Sequence, residues 1–208
     1  MEAWTVLAPV LAAVLLGAIS PGPSFMVVAR TAVGTSRRAG VAAAIGMGLG
    51  GMLFSILALA GIHTLLQAFD WLYAAIKIAG GLYLVWMAVK IWRGAQMPFT
   101  VGDGAPASGN ALLQGLATQL SNPKTALFYA SVFGAVLPAA PPPWTYAALP
   151  LLVLAVETGW YAVVAFGFSS PRPQALYLSA RTAIDRTAAA VIGLLGLRLL
   201  AGAGREGL

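Results

Sequence analysis

Two long apolar runs in this chain are interrupted in the same way, by Ser20-Pro21-Gly22-Pro23 in the first and by Ser121-Asn122-Pro123-Lys124 in the other. Proline has no N–H and its ring clashes with the carbonyl four residues back, so Pro21, Pro23 and Pro123 are expected to free the carbonyls of Gly17, Ile19 and Gln119. The residue before a proline is pushed out of helical geometry, which makes Ser20, Gly22 and Asn122 the expected break points. Ser-Pro and Asn-Pro also open helices: the side-chain oxygen caps free N–H groups and proline suits the first helical position. Each run then contains a half-helix that starts inside apolar surroundings, with unpaired N–H donors and a partial positive charge at its start. Lys124 adds a full cation, and such an arrangement suits a carboxylate or similar small anion. Ser20, Asn122 and the freed carbonyls are then available to an ammonium group. Glu157 is the acidic residue near the middle of another apolar run. A plainer reading makes the prolines packing kinks and pairs Lys124 with Glu157, which does not exclude a binding site.

Other chemistry is sparsely provided for. Among 208 residues there is no cysteine and one histidine, His63, which all but removes thiol redox chemistry, cysteine nucleophiles and zinc or haem sites of the usual ligand types. A membrane-bound enzyme would need a nucleophile, a base and an orienting acid close together, and six acidic residues scattered along the chain offer no such constellation. No metal or cofactor is expected.

The elements that hold these residues are membrane helices. Hydrophobic residues make up 60% of the chain and charged ones 9%, against about 25% charged in an ordinary soluble domain, and the mean hydropathy is +0.85. The net charge of +6 does not point to nucleic acid, because the basic residues form no aromatic-interleaved patch and fall between apolar runs. The first run resembles a signal peptide, yet it carries Glu2 and no Lys or Arg before its apolar core, and Pro21 would follow the cut. It is expected to remain as a first span.

Length and hydropathy predict six spans near 4–29, 40–62, 70–92, 110–137, 145–168 and 186–203. Arg30, Arg37 and Arg38 follow the first span, Lys90 and Arg93 close the third, and Arg172, Arg181 and Arg186 follow the fifth. The other side holds Glu2, Asp70, the uncharged PAAPPPW turn, and Arg205 balanced by Glu206. Positive charge collects on the cytoplasmic side, so both termini are expected outside. The Gly/Pro/Ala/Ser-rich stretch 94–109 divides a single transmembrane domain, 1–208, into repeats 1–93 and 110–208, with the linker in the cytoplasm. Three spans per half give opposite orientations, and matched breaks in the first and fourth spans point to a 3+3 inverted repeat that works by alternating access. The predicted fold class is thus an all-α integral membrane protein with six transmembrane helices.

Gly46 and Gly50 stand at small-xxx-small spacing in the second span, which favours close helix packing over a pathway role. Lys77 is expected to snorkel to the outer surface. His63 reads as an interfacial loop residue, and Trp4, Trp71, Trp86, Trp92 and Trp144 fall near span ends as interface anchors do.

The stretches SPGPSFMVVARTAVGTSRRAGVAAAIGMGLG, IKIAGGLYLVWMAVKIWRGA, GLATQLSNPKTALFYASVF and IDRTAAAVIGLLGLRLLAG, in that order, resemble the LysE/RhtB family of bacterial amino-acid exporters. The resemblance implies a multi-pass protein of the bacterial inner membrane, with the lipid bilayer as its surroundings. It also implies a homodimer that exports an amino acid or related metabolite from the cytoplasm, driven by an ion gradient, with a proton as the expected coupling partner. By position, Pro21, Gly22, Pro23, Asn122, Pro123 and Lys124 match its two motifs, and Gly46 and Gly50 match the glycines of its second span. Many members of that family carry Asp where this chain has Gly51, so the amine contact or proton-carrying carboxylate that the resemblance implies is either missing here or supplied by Glu157, which joins Ser20, Asn122 and Lys124 as a candidate substrate-binding residue. The leading expectation is a secondary exporter of a small carboxylate-bearing metabolite, with a membrane enzyme or a non-transporting scaffold as alternatives.

Overall fold

A computed structural model of the chain describes residues 3–68, 70–97, 109–138 and 141–206, with side chains at all of these except 3–5, 62–74, 76, 174 and 203–206. The expectations for Glu2, Trp4, His63, Asp70, Trp71 and the linker centre at 98–108 lie outside the described residues or side chains.

The described residues form eight helices: α1 (Ala3–Ile19), α2 (Pro23–Gly34), α3 (Arg37–Ala68), α4 (Asp70–Gly94), α5 (Ala111–Leu120), α6 (Pro123–Val136), α7 (Thr145–Phe168) and α8 (Pro171–Glu206). The chain leaves helical geometry at 20–22 and again at 121–122, on the residues that precede prolines. Pro23 and Pro123 then occupy the first turns of α2 and α6, where a missing N–H costs nothing. At the first break the two helices turn by 57°.

Among the described residues, 37–61 and 145–168 are each long and apolar enough to cross a membrane, and the bent pair α1–α2 makes a third such element. The remaining segments carry more polar residues: Lys77 and Lys90 in α4, Gln114, Gln119 and Lys124 in α5–α6, and Arg181 and Asp185 in α8. One boundary differs strongly from expectation. The last helix begins at Pro171 rather than near 186, because its first turns are helical although too polar to register as apolar.

Helix α4 runs against α8, and α3 lies against both α5 and α7. Gly46 and Gly115 make the α3–α5 approach possible: a β-carbon at Gly46 would overlap the Leu112 carbonyl, and one at Gly115 would overlap the Ala43 carbonyl. Gly46→Leu is therefore expected to force the two helices apart and lower the thermal midpoint in detergent. Overpacking typically costs about 1–3 kcal/mol. An unchanged midpoint would mean that this contact is not tight.

Among the described residues two apolar cores result. One gathers Val10, Leu84, Phe133, Leu149 and Ile192 from α1, α4, α6, α7 and α8. The other gathers Phe25, Val28, Ala44, Met47 and Val164 from α2, α3 and α7. Lys77, expected at the surface, is 7% exposed. It lies one turn before Gly80 and Gly81, which meet Ser131 of α6 and Leu200 of α8, so it shares a face turned into the bundle. Trp86, Trp92 and Trp144 are exposed.

Candidate functional site

The starts of α2 and α6 meet. Asn122 caps α6 by accepting from the Lys124 N–H at 3.0 Å, and its Nδ2 reaches across to Ser24 Oγ on the first turn of α2 at 3.4 Å. A β-carbon at Gly22 would lie 3.5 Å from Lys124 Nζ. The residue at the N-cap of α2 is Gly22, with no side-chain cap, so Ser20 does not fill the capping role expected of it. Its side chain is buried and faces Asp185 instead.

From Ser24 a chain of hydrogen bonds leads to Glu157. Ser24 Oγ donates to Gln119 Oε1 at 2.6 Å, which turns the Gln119 amide so that Nε2 points at the carboxylate, 2.8 Å from Oε2 and 3.1 Å from Oε1. Tyr129 donates its hydroxyl to Glu157 Oε1 at 3.0 Å. Glu157 is 4% exposed, and Lys124 is not among its partners; the Lys124–Glu157 pair of the plainer reading is not formed. Donors from α5 and α6 occupy the carboxylate instead, while the Lys124 ammonium lies beside Gly22.

Glu157 fits because Gly51 has no side chain. A β-carbon at Gly51 would overlap Glu157 Oε2 and stand 2.9 Å from the Tyr129 hydroxyl. Gly50, one residue earlier, is filled by the Gln119 side chain, whose Cβ lies 2.6 Å from where a Gly50 β-carbon would be. The two glycines thus admit the two members of the network that lie opposite α3.

The carbonyls loosened by the first break are already taken. Trp160 Nε1 donates to the Ala18 carbonyl and the Tyr177 hydroxyl to the Ile19 carbonyl, each at 3.1 Å. At the second break the Asn122 N–H donates to the Gln119 carbonyl at 3.3 Å. The carbonyls of Ile19 and Gln119 are therefore not left for a ligand's ammonium group, because the protein satisfies them itself.

Two spaces adjoin the breaks. A small one of about 30 Å³, water-sized, lies among Ser24, Gln119, Asn122, Lys124, Tyr129 and Glu157. A larger cavity of about 400 Å³ extends from Ser20, Pro21, Pro123 and Lys124 toward α4 and α8. Ser20, Gly22, Pro23 and Lys124 line both, so the half-helix starts form the wall between them.

Sequence reasoning did not single out Ser24, Gln119, Tyr129 or Asp185. A lone amide in the apolar run GLATQL is a signal that points to Gln119. Asp185 lay beyond the apolar window and gave none.

A family model described as LysE type translocator matches residues 15–203. The chain is 32% identical over 191 residues to a protein of Escherichia coli (strain K12) named threonine efflux protein, covering 89% of this chain and 93% of that one. Against the threonine efflux protein of Salmonella typhimurium it is 34% identical over 195 residues, with the same coverage of 89% and 93%. A leucine efflux protein of Enterobacter sp. (strain 638) is 34% identical over 115 residues, 54% of each chain. No solved structure matches the chain.

Proposed function

The chain belongs to the LysE type translocator family, and from that premise we propose that it exports an amino acid or a related carboxylate-bearing metabolite from the bacterial cytoplasm. The observation that carries this reading is the meeting of the α2 and α6 N-termini beside Lys124, with the Glu157 network behind them. Two positive helix ends and a cation favour a carboxylate from one side of the break. A buried carboxylate held only by neutral donors, on the other side, is suited to carry a coupling proton.

In this reading α1–α2 and α5–α6 are the broken first and fourth of six spans, arranged as a 3+3 inverted repeat with both termini outside the inner membrane. Ser20, Pro21, Gly22, Pro23, Asn122, Pro123 and Lys124 form the substrate wall, and the halves rock about it. Gly46, Gly50 and Gly51 act through packing, the first two between helices and the third beside Glu157. A homodimer is part of the same proposal.

Counterflow of labelled L-threonine and L-leucine in proteoliposomes tests it. Hydrogen bonds to charged groups contribute about 1.5–3 kcal/mol, so Lys124→Ala is expected to weaken apparent substrate affinity about 10- to 150-fold. Unchanged affinity and rate would remove Lys124 from the site.

A further inference from the structure

The cavity of about 400 Å³ has the size of a small-molecule site, typically about 300–1,000 Å³. Tyr83, Trp86 and Met87 give it an apolar, aromatic wall, while Lys90, Lys124, Arg181 and Asp185 bring charge to it. Lys90 Nζ stands 5.0 Å from the Trp86 ring centre, a cation–π contact that leaves its N–H donors usable. The Tyr83 hydroxyl donates to the Lys124 carbonyl at 3.2 Å, tying this wall to the start of α6.

Asp185 is the unusual member. It is 2% exposed, and although the Ser20 side chain faces its carboxylate, its Oδ1 has no hydrogen-bond partner among the described residues. Its Oδ2 lies 3.4 Å from Arg181 Nε, while the rest of that guanidinium donates to the carbonyls of Met97, at 2.6 Å, and Gly94, at 3.3 Å, where α4 ends. Arg181 therefore serves the end of α4 as well as Asp185. A charged acceptor left buried with one oxygen unpaired is destabilising. A group that enters from the cavity and donates to Oδ1 would satisfy it. Lys124 is close enough to act on the charge of Asp185, so a cation and an anion share the cavity.

We propose that this cavity is the amino-acid binding chamber and that Asp185 receives the substrate's α-ammonium group, with Lys124 and Lys90 on its carboxylate and the Tyr83–Trp86 wall along its side chain. The assignment rests on the transport reading for its choice of ligand. It adds to that reading a requirement for a free amine: a zwitterion satisfies both ends of the cavity, whereas a simple carboxylate engages only the lysines.

Isothermal titration of the full-length protein in lipid nanodiscs tests this, using L-threonine and L-leucine against their des-amino counterparts 3-hydroxybutyrate and 4-methylpentanoate. The wild type is expected to bind at least one amino acid at least tenfold more tightly than its counterpart. Asp185→Asn should erase that preference by weakening the amino acid alone. Asp185→Glu keeps the charge beside Arg181, should restore part of the preference, and reports on the site if the Asn variant does not fold. Loss of both ligands in equal measure, or an unchanged preference, overturns the assignment, because a merely structural role would not separate them. If the wild type binds none of the four probes, the chamber and the transport reading both fail. If the binding pattern is as expected but labelled L-threonine and L-leucine show no counterflow, the chamber stands and the transport reading fails.

Discussion

Glu157→Leu is expected to abolish amino-acid transport driven by an imposed pH gradient and to lower the thermal midpoint in detergent more than any other single truncation in the polar network. The carboxylate takes donors from Gln119 Nε2 and the Tyr129 hydroxyl, and both partners are buried. Leucine fills much of the volume but accepts nothing, so two donors are stranded at about 1–3 kcal/mol each. The damage also spreads backward along the chain. Gln119 is turned by Ser24, and Ser24 is touched by Asn122, so a Gln119 amide released from Glu157 is free to leave Ser24 and loosen the contact between α2 and α6. The double variant Glu157→Leu/Gln119→Leu is expected to regain part of the midpoint, since removing both partners costs less than orphaning one. It should not regain transport driven by a pH gradient, because nothing remains there to carry a proton. Transport driven by an imposed pH gradient at the wild-type rate in Glu157→Leu would sink the proposed role of this carboxylate in coupling.

Local chemistry made the helix breaks legible in the sequence. Pro21, Pro23 and Pro123 act on their own backbones, and the Asn122 cap involves the N–H just beyond the next residue, so no tertiary information was needed. The partners of the breaks were not legible. Trp160 and Tyr177 come from α7 and α8 to satisfy carbonyls of α1, across more than 140 residues of chain. The choice between a binding role for Lys124 and a Lys124–Glu157 pair was not legible for a related reason. Lys124 and Glu157 are the charges nearest the middle of predicted spans, and spacing alone cannot tell that Gln119 and Tyr129 take the carboxylate. Asp185 was hidden by hydropathy itself: α8 is helical from Pro171, and a window that looks for apolar content excludes the turn that faces the cavity. Lys77 was misplaced because its distance from a span end says nothing about which face of α4 packs inward.

Gly51→Asp is expected to be as damaging as loss of the carboxylate, and its rescue separates packing from charge. The β-carbon alone overlaps Glu157 Oε2 and approaches the Tyr129 hydroxyl, so even alanine there must push Glu157 off its donors. Aspartate adds a second carboxylate in the same buried space, where two like charges a few ångströms apart cannot both remain ionised without large cost. Gly51→Asp should therefore lose counterflow and thermal stability together. Removing the side chain it collides with reverses the steric term: in Gly51→Asp/Glu157→Ala the space is vacated and the new carboxylate projects from α3 toward Tyr129. That double variant is expected to exceed Gly51→Asp at least tenfold in counterflow rate. Residues that share one cavity are non-additive in this way. If Gly51→Asp behaves as the wild type, the fit between Gly51 and Glu157 is looser than the geometry requires. If the double variant is as inactive as the single one, the carboxylate must stand on α7, and the Ser24–Gln119 chain that orients its donors, rather than the charge alone, is what the site demands.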